Sequence, residues 1–183
     1  QNNETKQTII SGLTIINGYQ HHGGAVKIVS NASPRFINCY FLNNTAKTNG
    51  GAAYCDSGAG MSFESCIFTS CSAPTGGALF CGTSEPEVTD CQFTGNSSQH
   101  GGAIALLASQ GSISTSTFQY NRATSEGGAI LCVASVGTVI GGSPATGNRF
   151  VANRAGVGAD VCCQWESNES IDLSYNSFAG HLQ

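Results

Sequence analysis

A short glycine motif recurs along the whole chain at intervals close to 26 residues, and it constrains the fold more than any other feature. The tripeptide Gly-Gly-Ala begins at Gly23, Gly50, Gly76, Gly101 and Gly127, and a degenerate sixth copy is Val157-Gly158-Ala159. A second motif, Phe-x-x-Asn, precedes the glycines and keeps the same phase. Self-similarity with a period of roughly 20–50 residues is typical of solenoids, propellers and repeat arrays.

The residues after each glycine pair alternate as a β-strand requires. Apolar side chains stand two and four residues beyond the second glycine, for example Leu79 and Cys81, or Ile104 and Leu106. A period of two is strand spacing, and helical periodicity is missing. Each unit is too short for a crossover helix, so successive units must pair strand on strand in parallel. The sequence therefore predicts an all-β, parallel β-solenoid of about six coils, with residues 1–183 forming one domain.

Coils stacked about 4.8 Å apart place equivalent side chains in ladders along the solenoid axis. Six phenylalanines are expected to stack inside as one aromatic ladder, namely Phe41, Phe68, Phe93, Phe118, Phe150 and Phe178. Four asparagines are expected at a turn, where amides bond the backbone and the neighbouring coils, namely Asn44, Asn96, Asn121 and Asn153. A second apolar column comprises Phe36, Phe63, Val88, Ile113 and Leu173. The residues between the apolar positions after each glycine pair, such as Tyr54 and Phe80, are expected to face outward.

Nine cysteines are many for a chain of 183 residues. Most fall in the inward columns, so they are expected to be small buried hydrophobic residues. The alternative is disulfides between coils, because a Cα spacing of about 4.8 Å lies within the roughly 4.4–6.8 Å that a disulfide permits. The best candidate pair is Cys55 and Cys81, and the odd count leaves at least one thiol free.

Composition favours an extracellular protein and argues against a nucleic-acid partner. Only 10% of residues are charged, the net charge is −4, and the seven Lys and Arg residues are few for a phosphate-binding surface. Five sequons are candidate N-glycosylation sites and suit a secreted or cell-surface protein, namely Asn3, Asn31, Asn43, Asn96 and Asn168. The sequence has no apolar run near the ~20 residues of a membrane-spanning helix. It predicts no metal site and no cofactor, since no Cys-x-x-Cys pair occurs.

The paired motifs resemble those of known β-helices. Repeats of Gly-Gly-Ala-Ile with Phe-x-x-Asn are similar to the passenger domains of chlamydial polymorphic outer membrane proteins, and more widely to the secreted pectin-lyase-like superfamily. In that superfamily, a segment like residues 8–19 commonly opens the array and one like Gly158-Ala159-Asp160 commonly ends it. The resemblance covers nearly all of the chain. It implies a right-handed parallel β-helix and a role in adhesion or surface display.

The carboxylates do not form the cluster that a polysaccharide lyase or hydrolase needs beside Arg or Lys. Glu64 and Asp90 fall on adjacent coils but one position out of phase. Glu85 and Glu87 flank a proline in a predicted loop. Asp160 interrupts an apolar column, so it is expected to close the last regular coil by accepting backbone hydrogen bonds.

Three functions stay open on the sequence. The first, which we favour, is a non-enzymatic extracellular scaffold or adhesin that binds a surface glycan or protein receptor, or associates end to end. The second is a carbohydrate-active β-helix. The third is an ice-binding protein, for which an incomplete outward column offers hydroxyls at Thr89, Ser114, Thr146 and Ser174.

Two further expectations concern the ends and the loops. The chain begins inside a repeat and stops just after Phe178, so we expect either a segment of a longer solenoid or subunits that stack end to end. Binding specificity is expected on the outer face and in the loops before the phenylalanines, at residues 30–34, 82–87 and 137–147.

Overall fold

The computed structural model describes residues 5–143, 145–164 and 171–179, and within these ranges it contains β-strands and no helix. Each coil has four faces, which we call sheets 1 to 4 in the order in which the chain visits them. Sheet 1 contains Ile9–Ser11, Arg35–Ile37, Ser62–Glu64, Glu87–Thr89, Ser112–Ser114 and Val139–Ile140. Sheet 2 contains Thr14–Ile16, Tyr40–Leu42, Ile67–Thr69, Gln92–Thr94, Thr117–Gln119, Arg149–Val151 and Ser177–Ala179.

Sheet 3 is the least regular of the four faces. Its strands are Tyr19–His22, Thr45–Asn49, Ser97–His100 and Arg122–Glu126, joined through single bridges at Ser72, Thr75, Arg154 and Val157. Sheet 4 contains Val26–Ile28, Ala53–Cys55, Leu79–Gly82, Ile104–Leu107, Ile130–Val133 and Val161–Gln164. Every strand pairing within the described ranges is parallel and joins one coil to the next, as in the pairing of Phe68 with Phe41 and with Phe93. The predicted parallel β-solenoid of about six coils is confirmed.

The phenylalanine ladder lies on the inner side of sheet 2. Centroids of successive rings are 4.7–5.1 Å apart, and their planes are tilted by no more than 13°. The five rings from Phe41 to Phe150 are fully buried, whereas Phe178 is 51% exposed. Beside this ladder, the predicted apolar column of sheet 1 is buried from Phe36 to Ile113 and continues in Ile140, and Leu173 is 39% exposed. These two columns form the core together with the inward residues of sheet 4 and the buried cysteines.

The predicted asparagines form a hydrogen-bonded ladder at the corner between sheets 2 and 3. All four are at most 2% exposed. Nδ2 of Asn96 donates to Oδ1 of Asn121 at 3.0 Å, and Nδ2 of Asn121 donates to Oδ1 of Asn153 at 2.9 Å. Each of these amides also donates to a ladder carbonyl one coil back, as Asn121 does to Phe93 at 2.9 Å. The ladder ends at Asp160, whose Oδ1 accepts a hydrogen bond from Nδ2 of Asn153 at 2.9 Å.

The glycine pair is required by the corner between sheets 3 and 4. The first glycine of each full Gly-Gly-Ala copy has a φ of 61–66°, a conformation that side chains disfavour. A Cβ on the second glycine would lie only 1.9–2.2 Å from a carbonyl oxygen of the following coil. Backbone from two coils therefore meets here with no room for a side chain.

The sixth copy of the motif is shifted by one residue from the predicted position. Gly128 N–H donates to Gly158 O at 3.0 Å, and Ala129 N–H donates to Asp160 O at 2.9 Å. Gly158 has the left-handed φ of 61°. The sixth copy is therefore Gly158-Ala159-Asp160, and Asp160 stands in the column of the motif alanines. It is 6% exposed, and its carboxylate accepts a side-chain amide at the end of the asparagine ladder.

The cysteines are free thiols, and eight of the nine are buried, which confirms their prediction as core residues. The expected disulfide between Cys55 and Cys81 is wrong. The two residues are register partners on adjacent coils. Side chains in parallel register project side by side about 4.8 Å apart, whereas a disulfide brings the Cβ atoms to about 3.8 Å. Burial raises the pKa of the Cys55 thiol to about 11 and that of Cys81 well above its ordinary value.

Candidate functional site

A groove crosses the outer surface of sheet 3. Small side chains occupy the second position of three sheet 3 segments, so the floor of the groove lies close to the backbone. These residues are Ala46, Ala73 and Ala123, each 3–4% exposed. The groove has a volume of about 460 Å³ and crosses four successive coils. Its lining comprises Ala46, Ser72, Ala73, Pro74, Ser97, Ser98, Gln99, Arg122 and Thr124.

The groove carries both hydrogen-bonding and apolar groups. Ser97 and Gln99 alternate along one exposed strand, and Thr124 stands on the next coil. The hydroxyl oxygen of Ser98 is buried and, within the part of the chain described, has no hydrogen-bond partner. Hydroxyl and amide groups both donate and accept, so they suit a ligand that is itself rich in hydroxyl groups. Pro74 adds an apolar surface between them.

Sheet 3 also carries positively charged side chains, and Nζ of Lys47 lies 5.6 Å from the ring centroid of Tyr19. Lys47, Arg122 and Arg154 lie on its strands and bridges, and Arg122 pairs with Arg154 on the adjacent coil. Over residues 5–143, 145–164 and 171–179, none of these three forms an ion pair. The carboxylate of sheet 3, on Glu126, lies 3.2 Å from Nδ1 of His100 and is thereby engaged.

On sheet 1, positively and negatively charged side chains form ion pairs. Lys6 bonds Glu87, and Nη2 of Arg35 lies 3.0 Å from Oε2 of Glu64. These four residues border a shallow depression of about 310 Å³. The register sets Glu64 opposite Thr89, so Asp90 lies one position out of phase with Glu64, as predicted. Glu87 begins a strand of sheet 1, so its prediction as a loop residue is wrong.

The outward hydroxyl column that motivated the ice-binding alternative is shorter than expected. Thr89 and Ser114 are adjacent members, with their oxygens 3.4 Å apart. The pairing of Ile113 with Ile140 places Gly141, and not Thr146, next after Ser114. Thr146 lies instead in the longer connection that follows sheet 1, where its hydroxyl donates to Gly141 O at 3.0 Å. The extra residues of the fifth coil cause this error, because they fall after the strand.

A polar cluster occupies the first coils where sheet 3 meets sheet 4. Nδ1 of His22 lies 2.9 Å from Oγ1 of Thr48, and the His22 ring centroid lies 4.8 Å from that of Tyr54. Tyr54 donates to Oδ2 of Asp56 at 2.7 Å. Burial, and then the hydrogen bond to Asp56, raises the pKa of Tyr54 to about 12. Burial and the neighbouring positive charges lower the pKa of His22. No group of three or more His, Cys, Asp or Glu in the described residues could hold a metal ion.

The outward column of sheet 4 is exposed at Lys27 but buried from Phe80 onward, which differs from the expectation of a solvent-facing surface. Phe80 is 7% exposed, Ala105 is fully buried, and Leu131 is 3% exposed. Tyr54 stacks on Phe80 with ring centroids 5.3 Å apart. The glycine corner brings sheet 3 close beside this column, since a Cβ on Gly101 would come within 3.1 Å of Ala105 Cβ. Sheet 4 therefore has apolar residues on both sides.

The loops predicted to hold specificity lie along the edge between sheets 4 and 1. Residues 83–86 border two shallow depressions of about 310 and 400 Å³, together with residues 108, 110–112 and 137–139. Residues 30–34 connect sheet 4 to sheet 1 on an earlier coil. The predicted segment 137–147 includes residue 144, which lies outside the described residues. Sequence reasoning did not identify the groove of sheet 3.

The candidate glycosylation sites differ in accessibility. Asn31 and Asn43 are exposed, so they stay predictions. Asn96 is fully buried, and its amide nitrogen donates to Phe68 O at 3.1 Å and to Asn121 Oδ1 at 3.0 Å. Its glycosylation is excluded in the folded chain, because the glycan would displace the ladder. Asn3 and Asn168 lie outside the described residues.

Comparison with known proteins gives one match. A family model described as "Right handed beta helix region" matches residues 28–181. No curated protein and no solved structure matches the chain significantly. Among the residues that the structure describes, no helix is long and apolar enough to cross a membrane.

Proposed function

The chain belongs to the right-handed β-helix family, and we propose that it is a non-enzymatic extracellular scaffold that binds a glycan chain along the groove of sheet 3. The observation that carries this proposal is the open, hydroxyl- and amide-lined groove across four successive coils. The resemblance of the repeats to passenger domains of chlamydial outer membrane proteins supports adhesion, and the exposed sequons at Asn31 and Asn43 are compatible with secretion.

The repeat geometry favours a linear polymer as the ligand. Equivalent positions recur about every 4.8 Å along the axis, so the groove offers similar donors and acceptors from coil to coil. Ser72, Ser97 and Thr124 supply hydroxyl groups on three consecutive coils. A chain of sugar units presents hydroxyl groups in the same repetitive way, and Pro74 supplies an apolar surface for a sugar ring.

Binding without turnover is supported by which side chains line the groove. The lining residues include neither Asp nor Glu, the residues that glycoside hydrolysis uses as acid and base or nucleophile. Arg122 is the charged residue among them, and its guanidinium stays protonated near neutral pH, so it cannot act as a general base.

The experiment uses two glutamines that stand exposed on strands. Gln99 lies in the groove of sheet 3, and Gln92 lies on the outer side of sheet 2. We expect Gln99→Trp to abolish retention on the immobilised polysaccharides that the unaltered protein binds, and Gln92→Trp to leave retention unchanged. Reducing ends and unsaturated products should stay at the level of the protein-free control. Equal retention by both variants, or steady product release, would contradict the proposal.

A second candidate function, a carbohydrate-active enzyme, is favoured by one observation on sheet 1. Glu64 and Glu87 lie on adjacent coils, each bonded to a cation, Arg35 and Lys6 respectively. Two carboxylates beside basic groups are the elements that cleavage of a sugar polymer requires. If this candidate holds, the unaltered protein releases products from a polysaccharide, and Glu64→Gln or Glu87→Gln stops the release without weakening retention.

A further inference from the structure

We propose that His21 and His22 together bind one divalent transition-metal ion, such as Zn²⁺ or Ni²⁺, through their Nε2 atoms, and that Thr48 orients both rings for it. The site lies on the first two coils, where sheet 3 meets sheet 4, and none of these residues lines the groove. Three observations support it: a hydroxyl group shared by the two rings, the tautomer that this hydroxyl sets, and the separation of the rings.

A shift of register places Thr48 beside two consecutive histidines. The pairing of Tyr19–His22 with Thr45–Asn49 shifts before His22, because the second coil has one residue more than the first over this stretch. An extra residue of this kind bends a strand and re-aims its side chains. Oγ1 of Thr48 lies 2.9 Å from Nδ1 of His22 and 3.3 Å from Nδ1 of His21. Neighbours that a regular strand directs to opposite faces therefore share one hydroxyl group.

The hydrogen bonds of Thr48 determine the tautomer of both rings. A threonine hydroxyl has one hydrogen, and that of Thr48 is donated to His21 O at 2.7 Å. The two contacts with imidazole nitrogens must therefore run in the other direction, so that Nδ1–H of each histidine donates to Oγ1. In a neutral imidazole, one nitrogen carries the hydrogen and the other the lone pair. Both Nε2 atoms thus present a lone pair, as a metal ligand must.

The surroundings of His22 favour its neutral form. Burial, and then the positive charges of His21 and Lys27, lowers the pKa of His22, whereas Asp56 acts in the opposite direction. A metal ion competes with protons for the imidazole, so a lowered pKa favours binding at neutral pH. Lys27 repels a bound cation, and the carboxylate of Asp56 offsets part of that repulsion.

The separation of the rings suits one shared ion. The ring centroids of His21 and His22 lie 4.5 Å apart, and solvent reaches both side chains. Bonds from Zn²⁺ to imidazole nitrogen are about 2.0–2.1 Å long, so one ion can reach a nitrogen of each ring. Imidazole suits Zn²⁺ and Ni²⁺, whereas Mg²⁺ prefers oxygen ligands. The described part of the chain adds no third His, Cys, Asp or Glu to the pair, so water completes the coordination and the ion is exchangeable.

The test is titration calorimetry of the full chain with Zn²⁺ and Ni²⁺, and with Mg²⁺ as the control ion. Every protein carries Cys163→Ser, because the partly exposed Cys163 thiol is itself a ligand for these ions. His22→Gln removes one proposed ligand, and His100→Gln removes a histidine from the same column three coils later. Thr48→Val keeps the shape of the side chain and removes its hydroxyl group. Thermal unfolding checks that each variant is folded.

We expect Zn²⁺ and Ni²⁺ to bind with one ion per chain, and Mg²⁺ not to bind. His22→Gln and Thr48→Val should each weaken binding by about tenfold or more, and His100→Gln by less than about twofold. In spectra of ¹⁵N-labelled imidazoles, metal-free His21 and His22 should carry their hydrogen on Nδ1, and Zn²⁺ should shift the Nε2 signals most. The inference is overturned if neither ion binds, if His22→Gln and His100→Gln lose affinity equally, or if Thr48→Val keeps full affinity. Hydrogen on Nε2 in the metal-free protein would also overturn it.

Discussion

The side-chain amide of Asn121 donates a hydrogen bond to Oδ1 of Asn153 on the next coil at 2.9 Å. Its own Oδ1 accepts from both the backbone and the side-chain nitrogen of Asn96, each at 3.0 Å. Its second amide hydrogen goes to Phe93 O at 2.9 Å. One buried residue thus satisfies polar groups on both neighbouring coils.

Asn121→Ala should lower the free energy of unfolding by about 3 kcal/mol or more. The substitution leaves the backbone N–H and a side-chain N–H of Asn96 without their acceptor and the carbonyl of Phe93 without the Asn121 amide, and each such buried group costs about 1–3 kcal/mol. Urea denaturation measures the change. Gln92→Ala, at an exposed strand position, serves as the control and should shift the free energy by no more than about 0.5 kcal/mol. A loss below about 1 kcal/mol for Asn121→Ala would show that the ladder does not stabilise the coils.

Truncation of the phenylalanine ladder should depend on position along the axis. Phe118 is fully buried between Phe93 and Phe150, so Phe118→Ala is expected to cost about 3–5 kcal/mol. Phe178 is 51% exposed and stacks on Phe150, so Phe178→Ala should cost roughly half as much. Denaturant titration of both variants provides the comparison. Equal losses would mean that Phe178 is covered in solution.

Native thiol labelling should modify Cys163 first. Its pKa is lowered by a hydrogen bond with the Cys132 thiol, and it is partly exposed. Burial raises the pKa of Cys71 to about 11 and that of Cys81 well above its ordinary value, so these thiols should react only as the chain unfolds. Peptide mapping after brief alkylation identifies the reactive site. Cys163→Ser should remove the fast phase and Cys162→Ser should keep it; rapid labelling of Cys81 would refute the buried-core interpretation.

Tyr54 should be the last phenol to ionise as the pH rises. Burial and the hydrogen bond to Asp56 raise its pKa to about 12 from the ordinary value of 10.0. Between these two values the folded chain holds a proton that the unfolded chain releases, so the contribution to stability is complete below pH 10 and is lost towards pH 12. Ultraviolet titration of phenolate absorbance should show a late step. Tyr54→Phe should remove it, whereas Tyr120→Phe should leave it; a late step that survives in Tyr54→Phe belongs to another residue.

The sequence was sufficient to predict the ladders because each is made of identical side chains at a constant interval. Phe118 and Asn121 recur in phase with the glycines, and an in-register parallel stack is the arrangement that brings such residues together. The predicted register was wrong in the fifth and sixth coils. In the fifth coil a longer connection places Thr146 outside the predicted column, and in the sixth a degenerate motif shifts Asp160 by one position. In both places the number of residues between equivalent positions differs from that in the earlier coils.

Other features depend on geometry that a repeat does not encode. The pairing of Cys55 with Cys81 is correct in register, but parallel side chains keep the sulfur atoms from bonding. Sheet 3 was missed because its segments hold four or five mostly polar residues without apolar alternation. The recurring alanine at Ala46, Ala73 and Ala123 was the available signal. It marks a place where the backbone comes close to the core and a groove forms outside.

The most direct test of the sheet 3 groove is a chemical-shift map of the isotope-labelled protein, at 18.8 kDa, titrated with a soluble oligosaccharide of a polysaccharide that retains it. We expect the perturbed signals to lie in Thr45–Asn49, Ser97–His100 and Arg122–Glu126, and to include the side-chain amide of Gln99. An oligosaccharide that binds but leaves all of these signals unmoved, or that perturbs only the surroundings of Glu64 and Glu87 on sheet 1, would contradict binding in this groove.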